Sequence, residues 1–102
     1  MGMTRKVVVV GACRTSIGSF LGSLSDFSPG QLGAVVVREA VACARVAPDQ
    51  VDEVVMGCVL DAGHGQGVAR QAALWAGLPI TVPVCGVNIV CGSSLKAIML
   101  AA

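Results

Sequence analysis

The sequence contains few aromatic residues and little charge. It is 3% aromatic, lacks tyrosine, and is only 13% charged, with a formal net charge of +1. Proteins that bind nucleic acids need basic patches for phosphates or exposed aromatic rings on which bases stack. The composition therefore argues against a nucleic-acid partner.

We also expect no targeting or membrane-spanning segment. The apolar run at residues 7–10 is too short and too β-branched for a signal peptide, and no Arg/Ser-rich transit segment is present. Residues 71–95 carry no charge, but prolines and glycines interrupt them, and a span needs roughly 20 apolar residues in a continuous helix. We therefore expect no membrane association.

Disulfide bonding is not indicated either. The cysteines number five, an odd count, and no secretory signal precedes them. Reduced thiols in the cytoplasm are the simplest interpretation. We expect no metal site, because Cys85 and Cys91 are six residues apart, a spacing typical of neither a zinc site nor a redox pair.

Apolar residues, by contrast, are abundant. The 102 residues are 55% hydrophobic, with a mean hydropathy of +0.81, which is typical of parallel sheets buried on both faces. So short a chain is at most one domain, and we expect more chain or a partner to cover its apolar surface. The sequence stops inside an apolar helical run at residues 98–102, which suggests truncation.

Strand-like and helix-like patterns alternate along the chain. Apolar runs at residues 6–12, 54–60 and 82–90 predict strands, and helical patterns begin at Pro29, Val68 and just after Gly92. Ser28 and Gln31 have the spacing of a capping box, and Pro48 ends the first helical pattern. The βαβαβα order predicts an α/β fold with a mainly parallel sheet and helices on both faces. The expected buried face of the first helix comprises Leu32, Val35, Val36, Ala40, Cys43 and Ala47.

Cys91 is the strongest candidate for a functional residue. It lies between the third predicted strand and the last helix, where free backbone N–H groups and the positive end of the helix dipole favour a thiolate. Gly92 leaves room for a second molecule to approach the sulfur. These features are typical of an activated nucleophile, although a packed core cysteine has the same pattern.

The other candidates have weaker signals. His64 is the only histidine and so the only local candidate for a general base, but nothing in the sequence places it near Cys91, and an ordinary loop histidine is the favoured interpretation. Its glycine-rich loop, residues 63–67, matches neither a P-loop nor a dinucleotide fingerprint. Arg70 and Gln71 are expected on a solvated face or in an interface. For Cys13, Cys43 and Cys58, packing in the core is the expected role.

Three segments of the chain resemble thiolases. They are residues 14–20 (RTSIGSF), 59–73 (VLDAGHGQGVARQAA) and 88–97 (NIVCGSSLKA), and they occur in the order found in that family. The resemblance implies a thiolase-type layered fold. Residues 1–102 would be a partial thiolase N-terminal domain, truncated after the helix that follows Cys91 has begun.

The resemblance, to the acetyl-CoA acetyltransferase type, also implies a reaction. Cys91 would accept an acyl group as a thioester, its backbone N–H would donate to the oxyanion, and a second acetyl-CoA would give acetoacetyl-CoA; the reverse reaction is thiolysis. Coenzyme A is part of the substrate, so no cofactor is implied, and the family assembles as homodimers or homotetramers. The family's activating histidine and second cysteine lie in C-terminal motifs that are absent here. We therefore expect poor solubility and no turnover from these residues alone.

The chain departs from the family pattern at Ser94, where glycine is usual. The added hydroxymethyl group is expected to point into the tightly packed start of the helix, where it would either cap the helix or weaken the site. Two alternatives stay open. Residues 91–95 partly resemble the Cys-Ser-Ser-Ser-Leu turn of ketoacyl synthases, and the chain could instead be an inactive subunit that only pairs with a partner.

Overall fold

A computed structural model describes residues 4–102, so residues 1–3 of the predicted domain lie outside the described residues. The fold is α/β, as predicted. The elements in chain order are α1 (Pro29–Ala44), a short 3-10 helix (Pro48–Gln50), β1 (Val54–Gly57), α2 (Val68–Trp75), β2 (Val84–Val87) and α3 (Ser93–Ala101).

The two strands are parallel, with α2 connecting them along the chain. Val54 pairs with Val84 and Gly57 with Val87. Adjacent residues of a strand point to opposite faces of the sheet. Met56 faces α1, because its sulfur lies 3.2 Å from where a Cβ on Gly33 would stand.

Gly57, the next residue, faces α3, and Gly86 of β2 faces α2. The helices α1 and α2 therefore cover one face of the sheet and α3 covers the other. The prediction of helices on both faces is confirmed.

The first helix begins as its sequence predicts. Gln31 N–H donates to Ser28 Oγ at 3.1 Å, and Ser28 N–H donates to Gln31 Oε1 at 2.8 Å, which completes the capping box. The helix ends at Ala44, before Pro48, because Arg45 adopts a left-handed conformation (φ 56°). A bond from Val46 N–H to Val41 O closes this end.

The predicted buried face of α1 is wrong for Val35, Cys43 and Ala47, which are exposed, whereas Leu32, Val36 and Ala40 are half-buried. The buried residues of this helix are Gly30, Gly33 and Ala34, whereas Val35 is 51% exposed. A Cβ on Gly33 would stand only 2.8 Å from the Cβ of Ala72 in α2. The two helices thus approach each other closely through small residues, Gly33 on α1 and Ala72 on α2.

The predicted first strand is also wrong. Residues 6–12 form no strand, and Val9 is 83% exposed. The segment instead passes along α1, where a Cβ on Gly11 would lie 2.9 Å from Ala40 O. A strand requires a neighbour with which to exchange hydrogen bonds, and residues 4–102 offer this segment none.

A groove of about 450 Å³ lies beside β1, between α1 and α3. The groove is lined by residues 55–58, by Gly33 and Val36 of α1, and by Ala97 and Ile98 of α3.

Among the helices of residues 4–102, none has the length and hydropathy required to cross a bilayer.

Candidate functional site

Cys91 occupies the turn between β2 and α3. The strand ends at Val87, α3 begins at Ser93, and Gly92 is the N-cap residue. Cys91 is exposed, so it is not packed in a core formed by residues 4–102. The first turn of α3 carries no acidic residue, so no carboxylate there opposes the positive end of the helix dipole.

The backbone of this turn is held by two polar side chains. Val90 has a left-handed backbone (φ 60°), and its N–H donates to Asn88 Oδ1 at 2.9 Å. Ser93 Oγ donates to Val90 O at 2.6 Å and accepts a bond from Ile89 N–H at 3.0 Å. The turn therefore has a defined conformation on both sides of the cysteine.

Asn88 and Ser93 are site residues that the sequence patterns did not single out. A signal was present, because asparagine and serine commonly bond to backbone groups two or three residues away in turns. Asn88 also reaches outside the turn, since its Nδ2 donates to Val59 O at 3.1 Å. Through this bond the turn is tied to the segment that follows β1.

The start of α3 packs directly on the backbone of β1. A Cβ on Gly57 would stand 2.5 Å from Ser94 N, so only glycine permits this approach. The Ser94 residue is nevertheless exposed. The expectation that its hydroxymethyl group points into packed structure is wrong, because it is the backbone of Ser94 that contacts the strand. Ser94 also makes no capping bond among residues 4–102.

His64 lies in the glycine-rich loop between β1 and α2. No hydrogen bond joins the His64 and Cys91 side chains within the described part of the chain. Gln71 Nε2 donates to His64 O at 2.8 Å and to Gln66 O at 3.1 Å. The loop is thus fixed through its backbone, and the structure does not pair His64 with Cys91 as a general base.

Arg70 and Gln71 have structural roles within the chain. Arg70 Nη1 donates to Val82 O at 3.0 Å and so connects α2 to the segment that leads into β2. Both residues are half-buried, and their polar groups bond to backbone carbonyls of the same chain. Neither a solvated face nor an interface is needed to explain them.

The remaining cysteines do not form a core. Cys13, Cys43 and Cys85 are exposed and Cys58 is half-buried, so the expected packing of Cys13 and Cys43 is wrong. The hydrogen bond from Cys43 Sγ to Glu39 Oε1 (3.3 Å), with some desolvation and the charge of Glu39, raises the pKa of Cys43. Within residues 4–102, no three Cys, His, Asp or Glu residues are grouped to hold a metal ion.

Fold and site together define an α/β chain with an exposed cysteine at a turn from a parallel strand to a helix. The model of the thiolase N-terminal domain matches residues 7–102. The chain belongs to the thiolase N-terminal domain family.

Individual relatives agree with this assignment. The chain is 54% identical over 100 residues to an acetyl-CoA acetyltransferase of Syntrophomonas wolfei, covering 98% of this chain and 25% of the relative. It is 57% identical over 96 residues to that of Cupriavidus necator, covering 94% of this chain and 24% of the relative. It is 46% identical over 93 residues to one of Clostridioides difficile, covering 91% of this chain and 87% of the relative.

A solved structure is similar as well. It is a thiolase of Ascaris suum in complex with coenzyme A, with a TM-score of 0.89 and 38% identity, covering 91% of this chain and 24% of that one. The chain thus spans about a quarter of the length of the Syntrophomonas, Cupriavidus and Ascaris proteins.

Proposed function

We propose that Cys91 is the acyl-accepting nucleophile of an acetyl-CoA C-acetyltransferase. The reaction joins two acetyl-CoA molecules to give acetoacetyl-CoA, and its reverse is thiolysis of a 3-ketoacyl-CoA. One observation carries the proposal: an exposed thiol stands at the start of α3 in a chain of the thiolase N-terminal domain family. The substrate is an acyl-CoA, and coenzyme A leaves as a product.

The chemistry required of Cys91 is a thioester exchange. Its thiolate attacks the carbonyl carbon of acetyl-CoA, an S–C bond forms, and the carbonyl oxygen becomes an oxyanion that accepts a hydrogen bond from Cys91 N–H. Collapse of this intermediate expels the thiolate of coenzyme A and leaves an acetyl group on Cys91. The enolate of a second acetyl-CoA then attacks that acetyl group and releases the cysteine.

Proton transfer requires groups other than those placed beside Cys91. His64 has no bond to the thiol within residues 4–102. We therefore expect residues 1–102 alone to show no turnover.

Assembly as a homodimer or homotetramer would cover apolar side chains such as Ile98, 64% exposed, and Met99, 61% exposed. Five free thiols are consistent with a cytoplasmic setting.

Transfer of a radiolabelled acetyl group tests the proposal. The chain is joined to the C-terminal part of the Cupriavidus necator relative in place of that protein's matching segment, and the chimaera is incubated with labelled acetyl-CoA and digested. Label is expected on the peptide containing Cys91. Cys91→Ser should abolish labelling and acetoacetyl-CoA formation, whereas Cys85→Ser, which alters another exposed thiol, should preserve both.

Three outcomes contradict the proposal. Label on a different peptide would show that another residue accepts the acyl group. An unlabelled but folded chimaera would favour the inactive-subunit alternative, and a requirement for a malonyl donor would favour a ketoacyl-synthase-like enzyme.

A further inference from the structure

The peptide between Val90 and Cys91 is held by its carbonyl group. Val90 O accepts two hydrogen bonds from Ser93, one from the hydroxyl at 2.6 Å and one from the backbone N–H at 3.1 Å. Ser93 is only 3% exposed, and its Oγ also accepts the bond from Ile89 N–H. One buried hydroxyl therefore connects the two residues that precede the cysteine.

This arrangement determines where the N–H of Cys91 points. A trans peptide is planar, and its N–H is directed opposite to its C=O; none of the described peptides is cis. Because the Val90 carbonyl is directed at the buried Ser93, the N–H of Cys91 is directed away from it. Because Ser93 is buried and Cys91 is exposed, an N–H directed away from Ser93 is expected on the open side of the turn.

The backbone conformation of Val90 is unfavourable by itself, so other contacts must fix the orientation of the Val90–Cys91 peptide. Left-handed φ values are unfavourable for β-branched residues, which prefer extended or right-handed conformations. At φ 60°, rotation of the adjoining peptides would relieve the strain. The bonds from Ser93 fix the carbonyl of Val90, and the bond to Asn88 Oδ1 fixes its N–H.

We propose that Ser93 is a positioning residue that orients the Val90–Cys91 peptide, so that Cys91 N–H can donate to the oxyanion formed when the cysteine is acylated. The inference rests on the proposed function of Cys91 as an acyl acceptor and adds the residue that directs the oxyanion donor. Ser93 itself touches no reacting atom in this scheme. It acts through the carbonyl of Val90.

Two reactions of the same thiol distinguish this role from general support of the fold. Acylation by p-nitrophenyl acetate forms an S–C bond, places negative charge on the carbonyl oxygen and then expels p-nitrophenolate, while the thiol proton goes to solvent. Alkylation by iodoacetamide forms an S–C bond as iodide leaves, without an oxyanion. Loss of the Ser93 hydroxyl should therefore slow the first reaction and spare the second.

The experiment compares Ser93→Thr with Ser93→Val in the chimaera that tests the proposed function. The two side chains have nearly the same shape, but only threonine keeps the hydroxyl. Mass spectrometry of the Cys91 peptide measures both rates at one pH. Acylation should be about tenfold slower for valine than for threonine, equivalent to about 1.4 kcal/mol, while the alkylation rates stay within about twofold. Ser94→Ala removes an exposed hydroxyl nearby and should change neither rate.

Equal acylation of the two variants, or an equal fall in acylation and alkylation, would overturn the positioning role. Asn88→Ala provides a second test at an exposed position if the Ser93 variants fail to fold. It should slow acylation selectively in the same way, and an unselective effect would count against the inference.

Comparing acylation by p-nitrophenyl acetate with acylation by acetyl-CoA separates this inference from the proposed function. With p-nitrophenyl acetate, the Ser93 hydroxyl should matter whether or not coenzyme A is recognised. If acylation by this ester depends on Ser93 but the chimaera takes no label from acetyl-CoA at Cys91, the positioning role stands and the proposed function is overturned. If acetyl-CoA labels Cys91 without any dependence on the Ser93 hydroxyl, the proposed function stands and the positioning role is overturned.

Discussion

Replacing Gly57 by alanine should damage both the stability of the chain and the site. A Cβ at this position would stand 2.5 Å from Ser94 N and 2.6 Å from Ser93 C. Both are backbone atoms at the start of α3, so no side-chain rotation can relieve the overlap. The substitution must therefore move the helix away from β1, together with the turn that carries Cys91.

The size of the effect follows from the overlap. Non-bonded heavy atoms are most favourable at about 3.5–4.0 Å, so the new methyl group would be about 1 Å too close. Overpacking of a packed site costs roughly 1–3 kcal/mol, and we expect about 3 kcal/mol because the clash is with backbone. In a domain of this size each kcal/mol lowers Tm by about 4–8 °C, which predicts a fall of roughly 12–24 °C.

A matched control is available in the neighbouring strand. A Cβ on Gly86 would meet only Ala69 Cβ at 3.9 Å, an ordinary contact. Gly86→Ala should therefore change stability by less than about 0.5 kcal/mol, or raise it slightly by restricting the unfolded chain. Thermal and urea unfolding, followed by fluorescence of Trp75, the only tryptophan, measures both variants. Equal Tm values for the two would refute the packing argument.

Three further predictions concern single contacts and activity. Arg70→Met should destabilise the chain by about 1 kcal/mol in urea unfolding, because it removes the bond to Val82 O, whereas Arg70→Lys should recover part of the loss. Since Glu39 raises the pKa of Cys43, Glu39→Ala should lower that pKa and speed alkylation of Cys43 at mildly alkaline pH. The contribution of this pair to the stability of the fold is complete below the usual thiol pKa and is lost as pH rises through the raised pKa. An unchanged rate would exclude that coupling. The 102-residue chain alone should show no thiolysis, and measurable turnover that disappears with Cys91→Ser would contradict this.

Features with a local cause were predictable from the sequence. The capping box of α1 depends on two side chains three residues apart, and both of its hydrogen bonds form as predicted. The end of α2 likewise follows from Gly77, whose φ of +90° suits glycine. The strand-turn-helix order around Cys91 was visible for the same reason, since apolar runs and turn residues specify elements within their own segment.

Features decided by distant partners were not predictable. Residues 6–12 have the composition of a strand, but a strand exists only where another pairs with it, and composition does not reveal the partner. Likewise, helical periodicity marked Val35 and Cys43 as buried, whereas α1 packs on α2 through Gly30 and Gly33. Sequence periodicity follows apolar bulk, but close helix packing here selects small residues.

The site itself combines both kinds of cause. Cys91 and Gly92 could be found from their segment alone, but their placement depends on β1, more than thirty residues earlier in the chain. Gly57 sets how closely the start of α3 approaches the sheet, and Val59 O holds Asn88, which in turn holds Val90. The direction of the Cys91 N–H is therefore a tertiary property. It follows that substitutions in and just after β1 should alter acylation of Cys91 although none of them touches the sulfur.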